Sequence, residues 1–303
     1  MTDWLGQPLL DLDGLDLDGA RSVSYLLHQV FRYEYDGPAY DVRQRLVALP
    51  RPRHGSLHRR SRHVSVADPG GIQHRPSVRA DDDGNEIVSV ELPVVPSAVE
   101  FTLAALVERT GPAADPLLPA DALTTPRHLV PTRLTSPSPE LRDLAGELRA
   151  AYPADAELAE ALSLRLRAEF SFAFDATSVF TTAAEAYAIR RGVCQDYAHV
   201  MLTVCRLAGI PARYVSGHLL GEQGGSHAWV EVFVRDGTGA RALAFDPTNG
   251  CRAGSRHLPV AVGPDYAAVA PTSGVYSGAA TGTLTWTKRA GVTAVGADLL
   301  PAT

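Results

Sequence analysis

Cysteine is scarce in this sequence, and the three present, Cys194, Cys205 and Cys251, are unevenly spread. So few exclude a disulfide framework, and their spacing excludes a zinc knuckle. No apolar run approaches the roughly 18 residues that a membrane span needs. The opening stretch, MTDWLGQPLLDLDGLDLDGA, carries acids where a signal peptide would carry bases. These absences predict a cytoplasmic, reduced protein with no membrane partner. Lysine is nearly absent too: Lys288 is the single one, and arginine supplies the other strong bases.

Net charge is −6 at pH 7, yet residues 1–19 hold five aspartates and no base. The remainder is close to neutral, which gives no reason to expect nucleic acid. The DLDGLDLDG run lacks the loop length and terminal glutamate of an EF-hand. Residues 1–20 therefore read as a flexible acidic tail. The basic stretch RPRHGSLHRRSRH (51–63) reads as a solvated loop and strand.

Residues 21–110 read as a β-rich, sandwich-like domain. SVSYLLHQVFRYEY alternates Tyr25, Leu27, Phe31 and Tyr33, and RHVSV, NEIVSVELP and VEFTLAALVERT follow. DDDGN (81–85) is a hairpin turn, with Gly84 and Asn85 suited to positive φ. Residues 111–137 are proline-rich and aperiodic, so they read as a linker.

From residue 138 to 303 the pattern is an α+β core with C-terminal strands. Ser138 and Pro139 form an N-cap and N1 pair ahead of Leu141, Leu144, Ala145 and Leu148. A second helix carries Leu158, Ala161, Leu162 and Leu166 on one face. A third starts near Thr182 and should stop at Gly192. The next opens at Cys194, with an apolar stripe of Cys194, Ala198, Met201, Leu202 and Cys205. Beyond lie the strand-like runs ARYVSGHL, HAWVEVFV and RALAFD.

A cysteine at the head of such a stripe is either a small core residue or a nucleophile whose thiolate the helix start stabilises. The following strands supply the partner that the second reading requires. With Asp236-Gly237 as the turn, His227 falls directly opposite Asp246, side chains on one face roughly 5 Å apart. An aspartate beside a histidine fixes its tautomer and stabilises its charged form. Cys194, His227 and Asp246 then make a cysteine–histidine–aspartate set for thiol acyl transfer. The backbone N–H of Cys194 is a natural oxyanion donor; Gln195 and Tyr197 are its polar neighbours.

GVCQDYAHVMLTVCRLAGIPARYVSGHL, then HAWVEVFV, then FDPTNG closely resemble the transglutaminase-like superfamily in its bacterial two-region form. The resemblance implies a papain-like core with Cys194 as nucleophile, His227 as base and Asp246 as orienter. It extends to Tyr25, Tyr33, Tyr35 and Pro38 in the first strand, to DDDGN, and to VAVGPDYAAVAPTSGVYSG near the end. The departures are Gln29 for a family histidine, Pro264 and Ala268 near D-Y, and a missing tryptophan before F-D-P.

The implied chemistry is a thioester acyl-enzyme formed on a peptide, protein or small amide, with no metal and no cofactor. Hydrolysis is the first reading. Amide formation with an amine acceptor and a non-catalytic binding module are the alternatives. Cys205 reads as core, Cys251 as a loop thiol, and Trp229 as packing beneath the site. His218 closes a strand and could line the cleft. His199 lies too far around its helix from Cys194 to share a metal.

Overall fold

The computed structural model describes residues 3–222 and 224–296. The first two residues of the expected tail and the last seven of the expected core lie outside the described residues. The four strand runs read from the sequence are all present, and a fifth long strand, Ala39–Leu49, is absent from that reading. The five are β1 (Ser22–Tyr35), β2 (Ala39–Leu49), β3 (Leu57–Ala67), β4 (Glu86–Val95) and β5 (Ala98–Thr110). β1, β5 and β3 share one sheet, while β2 and β4 share another. Phe31, Val42, Leu46, Val88, Phe101 and Leu103 fill the space between them.

The helices are α1 (Pro139–Ala151), α2 (Asp155–Glu169), α3 (Ala183–Ile189) and α4 (Cys194–Leu207). Ser138 caps α1 by accepting from the Leu141 N–H, and Leu141, Leu144, Ala145 and Leu148 are buried as the spacing predicts. In α2 the buried face takes Ala159 rather than Ala161. α3 starts on a capping box between Thr182 and Glu185, but it ends at Ile189 with Arg190 in the left-handed region, two residues before Gly192. The expected stripe on α4 is too narrow a description. Every residue from Gln195 to Arg206 is buried, because the other helices and a sheet surround it.

That sheet holds β6 (Ala212–Leu219), β7 (His227–Asp236), β8 (Gly239–Asp246) and β9 (His257–Gly263). Its order is β8-β7-β6-β9. Ala228, Val230 and Val232 pack with the helices, while Trp229 lies in a separate cluster on the other face. The last two strands are β10 (Thr272–Ser277) and β11 (Gly282–Gly296).

Three expectations on chain organisation need correction. First, β10 and β11 belong to the sandwich, not to the core. β11 pairs with β1 from Ser22↔Gly296 to Tyr35↔Gly282, and β10 pairs with β2. β1 would otherwise present a long open edge, and nothing in sequence order reveals which distant strand covers it. Second, residues 111–137 are a packed strap rather than a free linker. Leu117–Leu118 pairs with β8, and Leu134 and Thr135 are buried. Third, the acidic tail is docked. Leu12 and Leu17 are buried between its aspartates, Arg256 donates to the Leu12 carbonyl, and Asp18 accepts from the Ser255 N–H.

Polar contacts join sandwich and core. At the DDDGN turn only Gly84 has positive φ, at 75°. Asn85 instead docks on β9, accepting from Val262 N–H at 2.9 Å and donating to Val262 O at 2.8 Å. Glu231 is buried and bonds both Arg213 and His54 at 2.7 Å. Burial alone would raise its pKa, yet the two bases outweigh that and hold it at about 2. The 51–63 stretch is thus only partly solvated, since His54 reaches Glu231 and Arg59 pairs with Glu86.

Asn85→Ala removes a reciprocal pair at a position only 1% exposed. Leaving the Val262 groups unpaired should cost about 2 kcal/mol in urea unfolding. A loss below about 0.5 kcal/mol would mean that this contact does not hold the two parts together.

Candidate active site

Cys194 occupies the first position of α4, after Val193 as N-cap. The start of the helix is held by Asp196, whose Oδ2 accepts from the Val193 N–H at 2.8 Å and from Thr177 Oγ1 at 2.6 Å. A Cβ on Gly192 would fall 2.3 Å from that same Oδ2. The glycine two residues before the cysteine is therefore required by the capping carboxylate, not by a helix end. The thiol is half-buried and the N–H at this position has no acceptor within the helix.

His227 opens β7, and its Nε2 donates to Asp246 Oδ2 at 2.7 Å. The contact forms, but not through the expected register. β7 and β8 pair as Val230↔Phe245 and Asp236↔Gly239, so the turn is Gly237-Thr238. Continuing that ladder puts Trp229, not His227, opposite Asp246. Moving the turn centre by one residue shifts the partner by two, which preserves the face. His227 is then the diagonal neighbour on that face, still within reach of a side-chain bond.

Asp246 has no exposed surface. Its Oδ1 accepts from the Thr248 and Asn249 N–H groups at 3.0 and 3.2 Å, and its Oδ2 also accepts from Asn249 Nδ2 at 2.8 Å. A further donor, His257 Nε2 at 3.0 Å, is absent from the sequence reading. The Gly254 N–H donates to His257 Nδ1 at 3.1 Å, so the proton of that ring sits on Nε2. Trp229 packs against both rings, with centroids 6.1 Å from His227 and 5.3 Å from His257.

Burial would hold His227 neutral, but its bonds to Asp246 and Cys194 outweigh burial and push it up to about 10. Burial also raises Asp246, and the donors from His227 and His257 overcome it, holding the carboxylate well below its usual range. Among the described residues, the ligand atoms of His227, Asp246 and His257 form a group compact enough for a metal. Here the two imidazoles turn N–H groups, not lone pairs, toward Oδ2, and the hydrogen bonds account for the cluster.

The Cys194 thiol and the His227 ring line one cleft of about 370 Å³ with Phe172, Phe174, Tyr214 and Tyr266. With Nε2 on Asp246, His227 Nδ1 is the nitrogen left for Cys194. Tyr214 is fully buried, and burial with the charge of Cys194 raises its hydroxyl pKa, keeping it an O–H donor. Of the polar neighbours, Gln195 Nε2 donates to Val179 O, while Tyr197 packs in the core against Phe170. Cys205 is buried in the core, its thiol pushed up to about 12 by burial, and Cys251 is exposed. Burial holds His199 near 3, with Nε2 accepting from the Tyr266 N–H.

Residues 142–247 match the sequence profile of the transglutaminase-like superfamily. The match covers 106 of the 303 residues. The fold is shared with a solved structure. A candidate cysteine protease from Cytophaga hutchinsonii superposes with a TM-score of 0.72 over 89% of this chain and 91% of its own, at 19% identity. An uncharacterized Mycobacterium leprae protein, ML0607, is 40% identical over 121 residues, which are 37% of this chain and 42% of that protein. A protein-glutamine gamma-glutamyltransferase of Pseudomonas aeruginosa is 35% identical over 125 residues, 37% of this chain and 18% of its own length. The matches to these two sequence relatives span less than half of their length. No helix among the described residues is long and apolar enough to cross a membrane.

A histidine whose pKa rises on folding contributes stability that is full below 6.5 and lost as pH climbs through about 10. The depressed Asp246 contributes above 3.8 and loses its contribution as pH falls. The melting-temperature gap between wild type and His227→Gln should therefore be widest between pH 3.8 and 6.5 and close toward pH 10. A gap that does not change with pH would rule out a charged His227 in the folded state.

Proposed function

We propose that this chain is a cysteine acyltransferase of the hydrolytic kind, cleaving amide bonds through a Cys194 thioester. The observation that carries this reading is the His227 ring, bonded at Nε2 to a buried carboxylate and left with Nδ1 for a helix-start thiol in an open cleft. Cys194 Sγ attacks the amide carbonyl carbon, and the Cys194 N–H, with Tyr214 O–H as second donor, receives the developing oxyanion. The C–N bond breaks as His227 gives its proton to the leaving nitrogen. His227 then takes a proton from water, whose oxygen attacks the thioester and releases the acid and the thiol. Asp246 keeps the ring oriented through both steps and stabilises it whenever it carries the proton.

The Pseudomonas relative, named as a protein-glutamine gamma-glutamyltransferase, favours a second reading in which an amine replaces water. Mass spectrometry of products from an amide library, with and without added amine, separates the two. Three unpaired cysteines support a reducing compartment, the cytoplasm.

Cys194→Ala should abolish turnover at a stability cost on the order of 1 kcal/mol. Retained activity would end the thioester mechanism. In wild type near neutral pH, iodoacetamide should label Cys194 at least about 100-fold faster than Cys205, read by peptide mapping. Equal rates in the folded protein would count against an activated thiol. Asp246→Asn should lower kcat by roughly 10 to 10³, less than the 10⁴ seen for the same change in serine proteases, because thiolate forms more readily than alkoxide. An unchanged kcat would remove Asp246 from the mechanism.

A further inference from the structure

Beside the catalytic cleft lies a second cavity of about 190 Å³, lined by Gln29, Phe31, His218, Tyr266, Trp286 and Lys288. The two share Gly225, Ser226, Tyr266 and Lys288 as common wall, so a molecule held at Cys194 can extend from one into the other. Five of the second cavity's eleven lining residues come from β1 and β11, the paired strands of the sandwich. The far wall of the cleft is thus supplied by the domain that lacks the thiol.

The chemistry of this cavity is specific. Phe31 and Trp286 are flat apolar surfaces, one buried and one half exposed. Lys288 is the only lysine of the chain and is partly buried. Its Nζ donates to the Gly225 carbonyl at 3.1 Å, and among the described residues no carboxylate forms an ion pair with it. Glu222, exposed on the facing loop, is the one acid whose charge acts on it. His218 is 3% exposed, is held neutral by burial, and has no partner at Nδ1 among the described residues. A buried ring nitrogen without a partner is costly unless something binds there, and a half-buried cation with no carboxylate in contact is open to an anion.

We propose that this cavity is a substrate subsite that receives a carboxylate on Lys288, with an aromatic or branched apolar body against Phe31 and Trp286. His218 Nδ1 makes one hydrogen bond to a polar group of the same molecule. The subsite rests on the reading of Cys194 as nucleophile only for its use in turnover; binding stands apart from it. A substrate of this class is a peptide or small amide carrying a carboxylate within a residue or so of the scissile bond. The same cation disfavours a lysine side chain as amine acceptor on this side of the cleft, because two ammonium groups would meet.

The test uses Cys194→Ala protein, which cannot turn over, titrated calorimetrically with N-acetylphenylalanine and N-acetylphenylalaninamide. The acid should bind at least 10-fold more tightly than the amide and alter the emission of Trp286, assigned with Trp286→Phe. Lys288→Met should erase the preference and Lys288→Arg should keep it. N-acetylglutamic acid α-amide, run alongside, tells a side-chain carboxylate from a terminal one; tight binding of either supports the subsite. Equal binding of acid and amide, or a preference that survives Lys288→Met, overturns it. Because nothing in this experiment is cleaved, a failure of catalysis and a failure of the subsite give different results.

Discussion

A carboxylate with no contact with water keeps its charge only if hydrogen bonds replace the water it has lost. Asp246 meets that condition with five: two imidazole N–H groups, two backbone N–H groups and one amide. Three of the five come from Thr248 and Asn249, within the turn that the aspartate itself begins. The FDPTN segment therefore builds its own cage, which the two histidines complete. Once the carboxylate is held ionised, the orientation and charge of His227 follow, and with them the environment of the thiol.

Much of this site was legible in the sequence because it is local or nearly so. The position of Cys194 at a helix start followed from the breaker before it and the stripe after it. The same-face relation of His227 and Asp246 followed from two strands joined by a short turn, and survived an error in the turn because a one-residue shift of its centre preserves parity. His257 was not legible. In the sheet β7 and β6 stand between β8 and β9, so no pairing rule connects residues 246 and 257. Gly192 was read as a helix terminator because spacing alone cannot show a carboxylate folding back over it.

Chain organisation was less legible than chemistry. Short strands with alternating residues announced the sandwich, but not its membership, since strand pattern carries no label for its partner. The acidic tail and the proline-rich strap were misread for one reason. Polar or breaker-rich composition describes side chains on average, whereas Leu12, Leu17 and Leu134 anchor those segments individually. Composition sets what a segment exposes; a few leucines decide where it lies.

The pairing of β11 with β1 brings together residues separated by more than 240 positions. During synthesis the thiol and its histidine leave the ribosome well before Lys288 and Trp286 are made. The wall that Lys288 and Trp286 supply is therefore the last part of the second cavity to be made, and it is complete only when the last long strand has paired with the first.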